Sequence, residues 1–174
     1  DLRLACGFCN LQPGERIAAT ELYRRASLAR MRAKRDGMGG YLYYTAEMGA
    51  SDARRRSIER QAAQALDTGE FKMALRPIFF LSNGKICGMQ AHLKWKNAVL
   101  GEVDRKEFLP IFERSGFLLT LDLYLIRQVC AVLSKWKKDG IAVPITVRIS
   151  QLQLTQTNFI DLLTAAVDSA GLDH

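Results

Sequence analysis

Three groups of side chains in this sequence have the types and spacing to do chemistry. Cys6-Gly7-Phe8-Cys9 is formally a C-x-x-C. A four-thiolate zinc site needs a second such pair, and Cys87 and Cys130 are too scattered to supply one. A redox C-x-x-C sits at a helix start, where the dipole lowers the thiol pKa. Here the flanking run Leu4–Leu11 reads as a strand, with positions i and i+3 on opposite sides. All four cysteines are therefore expected as buried small hydrophobes in a reducing, cytoplasmic setting. The second group is a pair of strand faces. Alternation puts Gln90, His92 and Lys94 on one face of their strand, and Thr146, Arg148 and Ser150 on one face of theirs. His92 lacks a second ligand nearby, His174 being terminal, and is expected to line a pocket or the core. The third group is basic: Arg24, Arg25, Arg30, Arg32, Lys34 and Arg35 on one helix face, with Arg54-Arg55-Arg56 close behind. Such a patch binds phosphates non-specifically, and Tyr41, Tyr43 and Tyr44 beside it have the flat rings on which single-strand binders stack bases.

The elements that must position these groups follow from periodicity and punctuation. Leu4–Leu11 ends at Gln12-Pro13-Gly14, a turn signal. Thr20 can cap a helix to about Arg35, with Leu22, Ala26, Ala29 and Ala33 as its apolar face and Gly37 beyond its end. Gly39-Gly40 leads into the aromatic strand Tyr41–Tyr44. Ser51 or Asp52 can cap a second helix to about Asp67, which reads as a connecting helix. Phe71–Leu81 and Ile86–Trp95 are strands around the hairpin signal Ser82-Asn83-Gly84. Helices follow at about Glu107–Arg114 and Leu121–Lys138, then a strand Val143–Ile149, then a helix from Phe159 to Ala170. Trp95 and Trp136 fall on apolar faces and are expected in the core. From residue 70 onward, strands separated by helices imply a parallel sheet or an α/β barrel. About three strands are too few to close an eight-stranded barrel.

Composition narrows the classes. The chain has 174 residues, 48% of them hydrophobic and 25% charged, which argues against a disordered polymer. No long uncharged apolar run suggests a membrane span, and the opening Asp1-Leu2-Arg3 does not read as a signal sequence. The net charge of +7 is spread over the chain: 12 basic and 8 acidic residues in 1–69, 13 and 10 in 70–174. That even spread, with no zinc-finger or RNA-binding signature, argues against direct RNA or DNA binding.

Two segments resemble known families. Glu70-Phe71, Arg76-Pro77-Ile78, Asn83-Gly84-Lys85-Ile86 and Gly88–Trp95 resemble the opening of an EAL domain, whose pattern is roughly G-E-F…Q-P-I…G-x-I…E-A-L-L-R-W. Glu107–Pro110 and Glu113–Gly116 resemble its E-F-I-P…E-x-x-G segment. Trp136 and Gly140 match its W…G helix end, and Val147–Ser150 with the following Gln-Leu pairs resembles its V-N-x-S…Q-L strand. Ala5–Cys9 and Glu21–Gly37 resemble the tail of a GGDEF domain. The resemblance implies three parts: residues 1–48 as the end of a GGDEF-like, cyclase-like α+β domain, 49–69 as a linking helix, and 70–174 as the first part of an EAL-type (β/α)8 barrel. The GGDEF signature itself would lie upstream of Asp1, and the later EAL ligands beyond His174. It further implies cyclic di-GMP as the ligand, hydrolysed in active relatives with two Mg2+ or Mn2+ ions.

The departures from the pattern set the functional expectation. The motif glutamate falls on Gln90 and the metal-binding asparagine on Arg148. Two-metal hydrolysis needs carboxylates around two hard cations, so no catalytic or metal-ligating residue is expected here. Lys94 stands for a ligand-contacting arginine and Arg76 for a ligand-contacting glutamine. The resemblance thus implies Arg76, Gln90, Lys94 and Arg148 as ligand-binding residues, with Arg148 supplying to a phosphate the charge that metals bring in active relatives. The expected role is a catalytically inactive receptor for cyclic di-GMP or a protein-interaction module, with a protein partner or a second copy of the chain as the other expected partner. An active metal-dependent phosphodiesterase and an RNA-binding regulator are the alternatives.

Overall fold

The computed structural model describes residues 4–35 and 40–173. It divides into two units, residues 1–57 and 58–174. The helix stop expected at Gly37, with Gly39, lies outside the described residues, as do Asp1-Leu2-Arg3 and His174.

The first unit is a two-stranded parallel sheet against a helix. β1 (Ala5–Phe8) pairs with β2 (Gly40–Tyr43) from Ala5 opposite Gly40 to Phe8 opposite Tyr43. α1 (Ala19–Arg35) buries Ala29 and Ala33. The approach to β1 is so close that a Cβ on Gly7 would run into the backbone of Ala26 and Arg30. Alternation turns Cys6 and Phe8 to the opposite face, so Cys6 is exposed and only Cys130 of the four thiols is buried. The expectation of four buried cysteines is corrected accordingly. Phe8, Tyr41 and Tyr43 meet ring to ring on that outer face at 5.4–5.9 Å.

α2 (Ala46–Asp67) begins five residues before the expected cap at Ser51 or Asp52. Asp52 lies inside the helix, buried, where it takes up arginine charge rather than a helix end. The division between the units falls within α2, and its second half carries Ile58, Ala62 and Ala65 into the core of the second unit.

That unit is built on β3 (Phe71–Phe79) and β4 (Ile86–Asn97), an antiparallel hairpin closed by a backbone bond from Phe80 N to Lys85 O of 2.8 Å. Gly84 in that loop has φ +68°, the left-handed conformation glycine supplies. β5 (Gly101–Val103) folds back antiparallel on the end of β4, and β6 (Ile145–Val147) pairs parallel with its beginning. The sheet is therefore mixed, not purely parallel. β5 was not expected because three residues are too few to show a period. α3 (Arg105–Ser115), α4 (Phe117–Lys138), the short α5 (Gln151–Leu154) and α6 (Phe159–Ser169) complete the unit. Gly116, at φ +78°, ends α3 and starts α4.

The core is aromatic. Phe71, Trp95, Phe108 and Phe112 are fully buried, with neighbouring ring centroids 4.9–6.2 Å apart. Trp136, expected there, is only half-buried. α4 is long and apolar enough to cross a membrane by length and composition. Here it serves two clusters instead: Leu118, Leu121, Leu125 and Val129 join the aromatic core, while Ile126 and Cys130 pack with Phe159 and Ala166 of α6.

Candidate functional site

β4 builds the site by alternation. Ala91, Leu93, Trp95 and Asn97 are buried, so Gln90, His92 and Lys94 point to the other face. Arg76 of β3 is registered opposite Gln90, and Gln90 opposite Thr146 of β6. The three strands thus set Arg76, Gln90 and Thr146 in one row. Arg148 follows one residue after β6 ends. Arg76, Gln90, His92, Lys94 and Arg148, with the β5–α3 turn, line a cleft of about 540 Å³. All four expected ligand-binding residues, Arg76, Gln90, Lys94 and Arg148, are in its walls, and so is His92.

Arg105 also lines the cleft. It is the first residue of α3, which Asp104 caps by accepting the Lys106 amide at 2.7 Å. The spacing predicts this helix only from about Glu107, which leaves Arg105 outside it, whereas the helix starts at Arg105. An aspartate followed by a helical run is the signal that finds it. Burial, then the charge of Arg148, then that of Arg76 all weaken the hold of Arg105 on its proton, while Asp122 strengthens it. Burial and the charges of Arg76, Arg105 and Lys94 push His92 below the ordinary imidazole range, against an opposing hydrogen bond with the Gln90 backbone. Both effects favour the neutral imidazole of His92. Among the described residues none of Arg76, Lys94, Arg105 and Arg148 forms an ion pair.

Two carboxylates missed by sequence reading hold the frame. Glu70 accepts from Trp95 Nε1 at 3.0 Å and from Asn97 Nδ2 at 2.8 Å. Asn97 Oδ1 in turn accepts from the Val99 and Leu100 amides at 2.9 and 2.8 Å, fixing the turn into β5. Asp122, buried on α4, accepts from the Ser150 amide at 3.0 Å. Ser150 then caps α5 by accepting from Gln153 N at 3.2 Å. These bonds anchor the chain two residues beyond Arg148.

The cleft side chains among the described residues do not by themselves make a donor set for a pair of divalent ions. Among the described residues no three His, Cys, Asp or Glu side chains come together to hold a metal. The lining carboxylates are Glu102 and Asp104, the latter engaged in its cap. Gln90 is neutral, and Arg105 and Arg148 repel a cation. The arrangement is suited to receiving an anion.

The basic face of α1 differs from that expected for nucleic acid. Arg24 and Arg25 are paired with Glu21, Asp52 and Glu15, and Arg25 lies over the Tyr44 ring at 5.3 Å.

A family model described as EAL domain matches residues 59–174. An uncharacterized signaling protein of Caulobacter vibrioides is 28% identical over 163 residues, which is 94% of this chain and 20% of that protein. The bifunctional diguanylate cyclase/cyclic di-GMP phosphodiesterase MucR of Pseudomonas aeruginosa is 26% identical over 158 residues, 90% of this chain and 23% of that protein. The chain thus spans about a quarter or less of the length of these relatives. The solved PaMucR phosphodiesterase in its c-di-GMP complex shares the fold, with a TM-score of 0.63 at 24% identity over 67% of this chain and 47% of that one.

Proposed function

The chain belongs to the EAL domain family, and from that premise we propose that it serves cyclic di-GMP signalling as a nucleotide receptor that needs no metal. The observation that carries this reading is the charge of the cleft. The positions matching the motif glutamate and the metal-binding asparagine hold Gln90 and Arg148, and Arg76, Lys94 and Arg105 add positive charge around them without ion-pair partners among the described residues. Guanidinium forks bind phosphate oxygens directly, the part that bound cations take in a metal-dependent site. The solved MucR phosphodiesterase holds c-di-GMP, which supports a nucleotide as the ligand here.

The mixed sheet of β3–β6 is then the first part of an EAL-type barrel. The β1–α1–β2 unit is the end of a GGDEF-type domain. The MucR relative, a cyclase as well as a phosphodiesterase, supports this because it aligns over 90% of this chain, beyond the span of the EAL match.

Titration calorimetry with cyclic di-GMP in the presence of chelator tests the receptor reading. Binding in chelator, unaffected by added Mg2+, with no linear product formed, is the expected result. Absence of binding at high micromolar ligand overturns it. Metal-dependent turnover by the wild-type chain establishes the phosphodiesterase instead, and Gln90→Glu with Arg148→Asn should then raise it.

A further inference from the structure

The second unit leaves four consecutive large apolar residues, Ile78-Phe79-Phe80-Leu81, in water at the closed end of the β3–β4 hairpin, with Ile86 paired across from Phe79. Phe79 and Phe80 are each about half exposed, and Leu81 is wholly exposed. A contiguous apolar surface of this kind marks a contact. The tip is held in shape. Gly84 N donates to Phe80 O at 2.9 Å and Lys85 N to Asn83 Oδ1 at 2.9 Å, beside the Phe80–Lys85 backbone bond already described.

Two observations say what covers it. The first is shape. Consecutive residues of an extended chain point to opposite sides, so Phe79 and Phe80 face away from each other and Leu81 stands at the apex. A protein surface laid against one side covers one ring and leaves the other in water. A medium that surrounds the tip covers all three side chains. The second is charge. The tip from Pro77 to Ile86 carries Lys85 and no carboxylate. β6 starts parallel to β4 beside Met89, and Pro144 O accepts from Met89 N at 2.8 Å, so the end of α4 and the turn after it lie at the same end of the sheet as the tip. There Lys135, Lys137 and Lys138 face Asp139, Asp168 and Asp173, of which Asp173 is taken up by Lys137 at 2.8 Å. Lys85, Lys135 and Lys138 form no ion pair among the described residues. Their charge is complementary to an anionic surface.

We infer that the β3–β4 tip docks on an anionic lipid bilayer. Phe79, Phe80 and Leu81 enter the boundary between headgroups and acyl chains, while the Lys85 stem lies along them and its ammonium stays at the level of the lipid phosphates. This is a surface contact and needs no membrane-spanning helix. It is separate from the cleft, because no residue from Pro77 to Ile86 lines it.

The test is flotation of the whole chain with two kinds of vesicle, phosphatidylcholine alone and phosphatidylcholine mixed with phosphatidylglycerol. The chain is expected to float with the mixed vesicles, more weakly with the neutral ones, and less as salt is raised. Leu81→Asp should lower partitioning into the mixed vesicles at least about tenfold, and Lys85→Gln about fivefold. Leu81→Asp should keep the wild-type urea midpoint, because the side chain it replaces is wholly exposed. Phe80→Trp reads insertion without weakening it: its fluorescence should be quenched by brominated acyl chains beyond the quenching of Trp95 and Trp136 in wild type. Wild-type chain that does not float with the mixed vesicles overturns the inference, and so does flotation that Leu81→Asp leaves undiminished. Dimerisation that Leu81→Asp abolishes, without flotation, assigns the tip to a second copy of the chain and overturns it equally. None of these outcomes bears on the receptor reading, which calorimetry with cyclic di-GMP decides by itself.

Discussion

Two sets of arginines in this chain have opposite electrostatic settings. In the first unit Arg24 meets Glu21 at 2.7 Å and Asp52 at 3.1 Å, and Arg25 meets Glu15 at 2.8 Å and Glu21 at 3.0 Å. Asp52 gathers Arg55 at 2.8 Å and Arg56 at 3.2 Å as well. In the second unit Arg76, Arg105 and Arg148 face one cleft and form no ion pair among the described residues. Positive charge matched within the chain serves the fold. Positive charge left to repel its like in a cleft is the setting that the proposed anionic ligand would answer. The contrast supports the proposed binding site inside a net charge whose even spread says nothing about one.

The comparison breaks most visibly at Arg148. Reversing its charge with Arg148→Glu should weaken anion binding in chelator about a hundredfold, since a charge-assisted bond is lost and repulsion takes its place. Calorimetry reads this directly, and an unchanged affinity would mean that the cleft arginines do not receive the ligand. Asp52→Ala acts on the other set. It leaves Arg24, Arg55 and Arg56 around a vacated carboxylate whose side chain is 8% exposed. Removing one partner of a buried pair is strongly destabilising, but these arginines keep 32–53% of their side-chain surface in water. A loss of about 2 kcal/mol in urea unfolding is expected. Arg105→Gln should behave in the opposite way in the same assay. It removes repulsion without breaking a pair, so stability should change by less than about 0.5 kcal/mol, and upward. A loss as large as that of Asp52→Ala would reveal a structural partner for Arg105.

The sequence discloses one side of this contrast better than the other. Alternation along β4 is strict over Gln90–Asn97, so the shared face of Gln90, His92 and Lys94 is readable without coordinates. Arg76 and Arg148 come from their family positions, and the register Arg76–Gln90–Thr146 brings them together. Arg105 is not readable this way, because a fold-back through the three residues of β5 is what carries it to the cleft. Asp52 misleads for a related reason. Ahead of an apolar stripe it reads as a helix cap, yet α2 starts at Ala46, where the Thr45 hydroxyl accepts from Met48 N, and Asp52 inside it meets Arg24, 28 residues earlier in the chain. Cys6 shows the limit of composition: a small apolar residue in a strand is expected inside, but Gly7 claims the face against α1 and turns Cys6 outward. Local period and punctuation locate elements and faces, whereas contacts across sequence distance decide which charge is answered.

Acid should separate the two sets without any change of ligand. Hydrogen bonds from Arg24 and then Arg25 hold the Glu21 carboxyl down to about 2, from an ordinary value near 4.5. Glu15 is lowered in the same direction, first by a hydrogen bond from the Gln12 backbone and then by Arg25. A carboxyl whose folded pKa is depressed stabilises the fold fully above its unfolded value and loses that contribution as pH falls toward its folded value. The window for Glu21 therefore runs from about 4.5 down to about 2. Protection of the α1 amides against hydrogen exchange, corrected for intrinsic rates, should decline through this window. Glu21→Gln should start from lower protection at neutral pH and decline less. Arg76→Gln and Arg148→Gln should leave the α1 profile as it is, because neither arginine answers a carboxylate there. An α1 profile equally steep in wild type and Glu21→Gln would show that the ion pairs of the first unit contribute nothing to its fold, and the contrast with the cleft would then reduce to geometry alone.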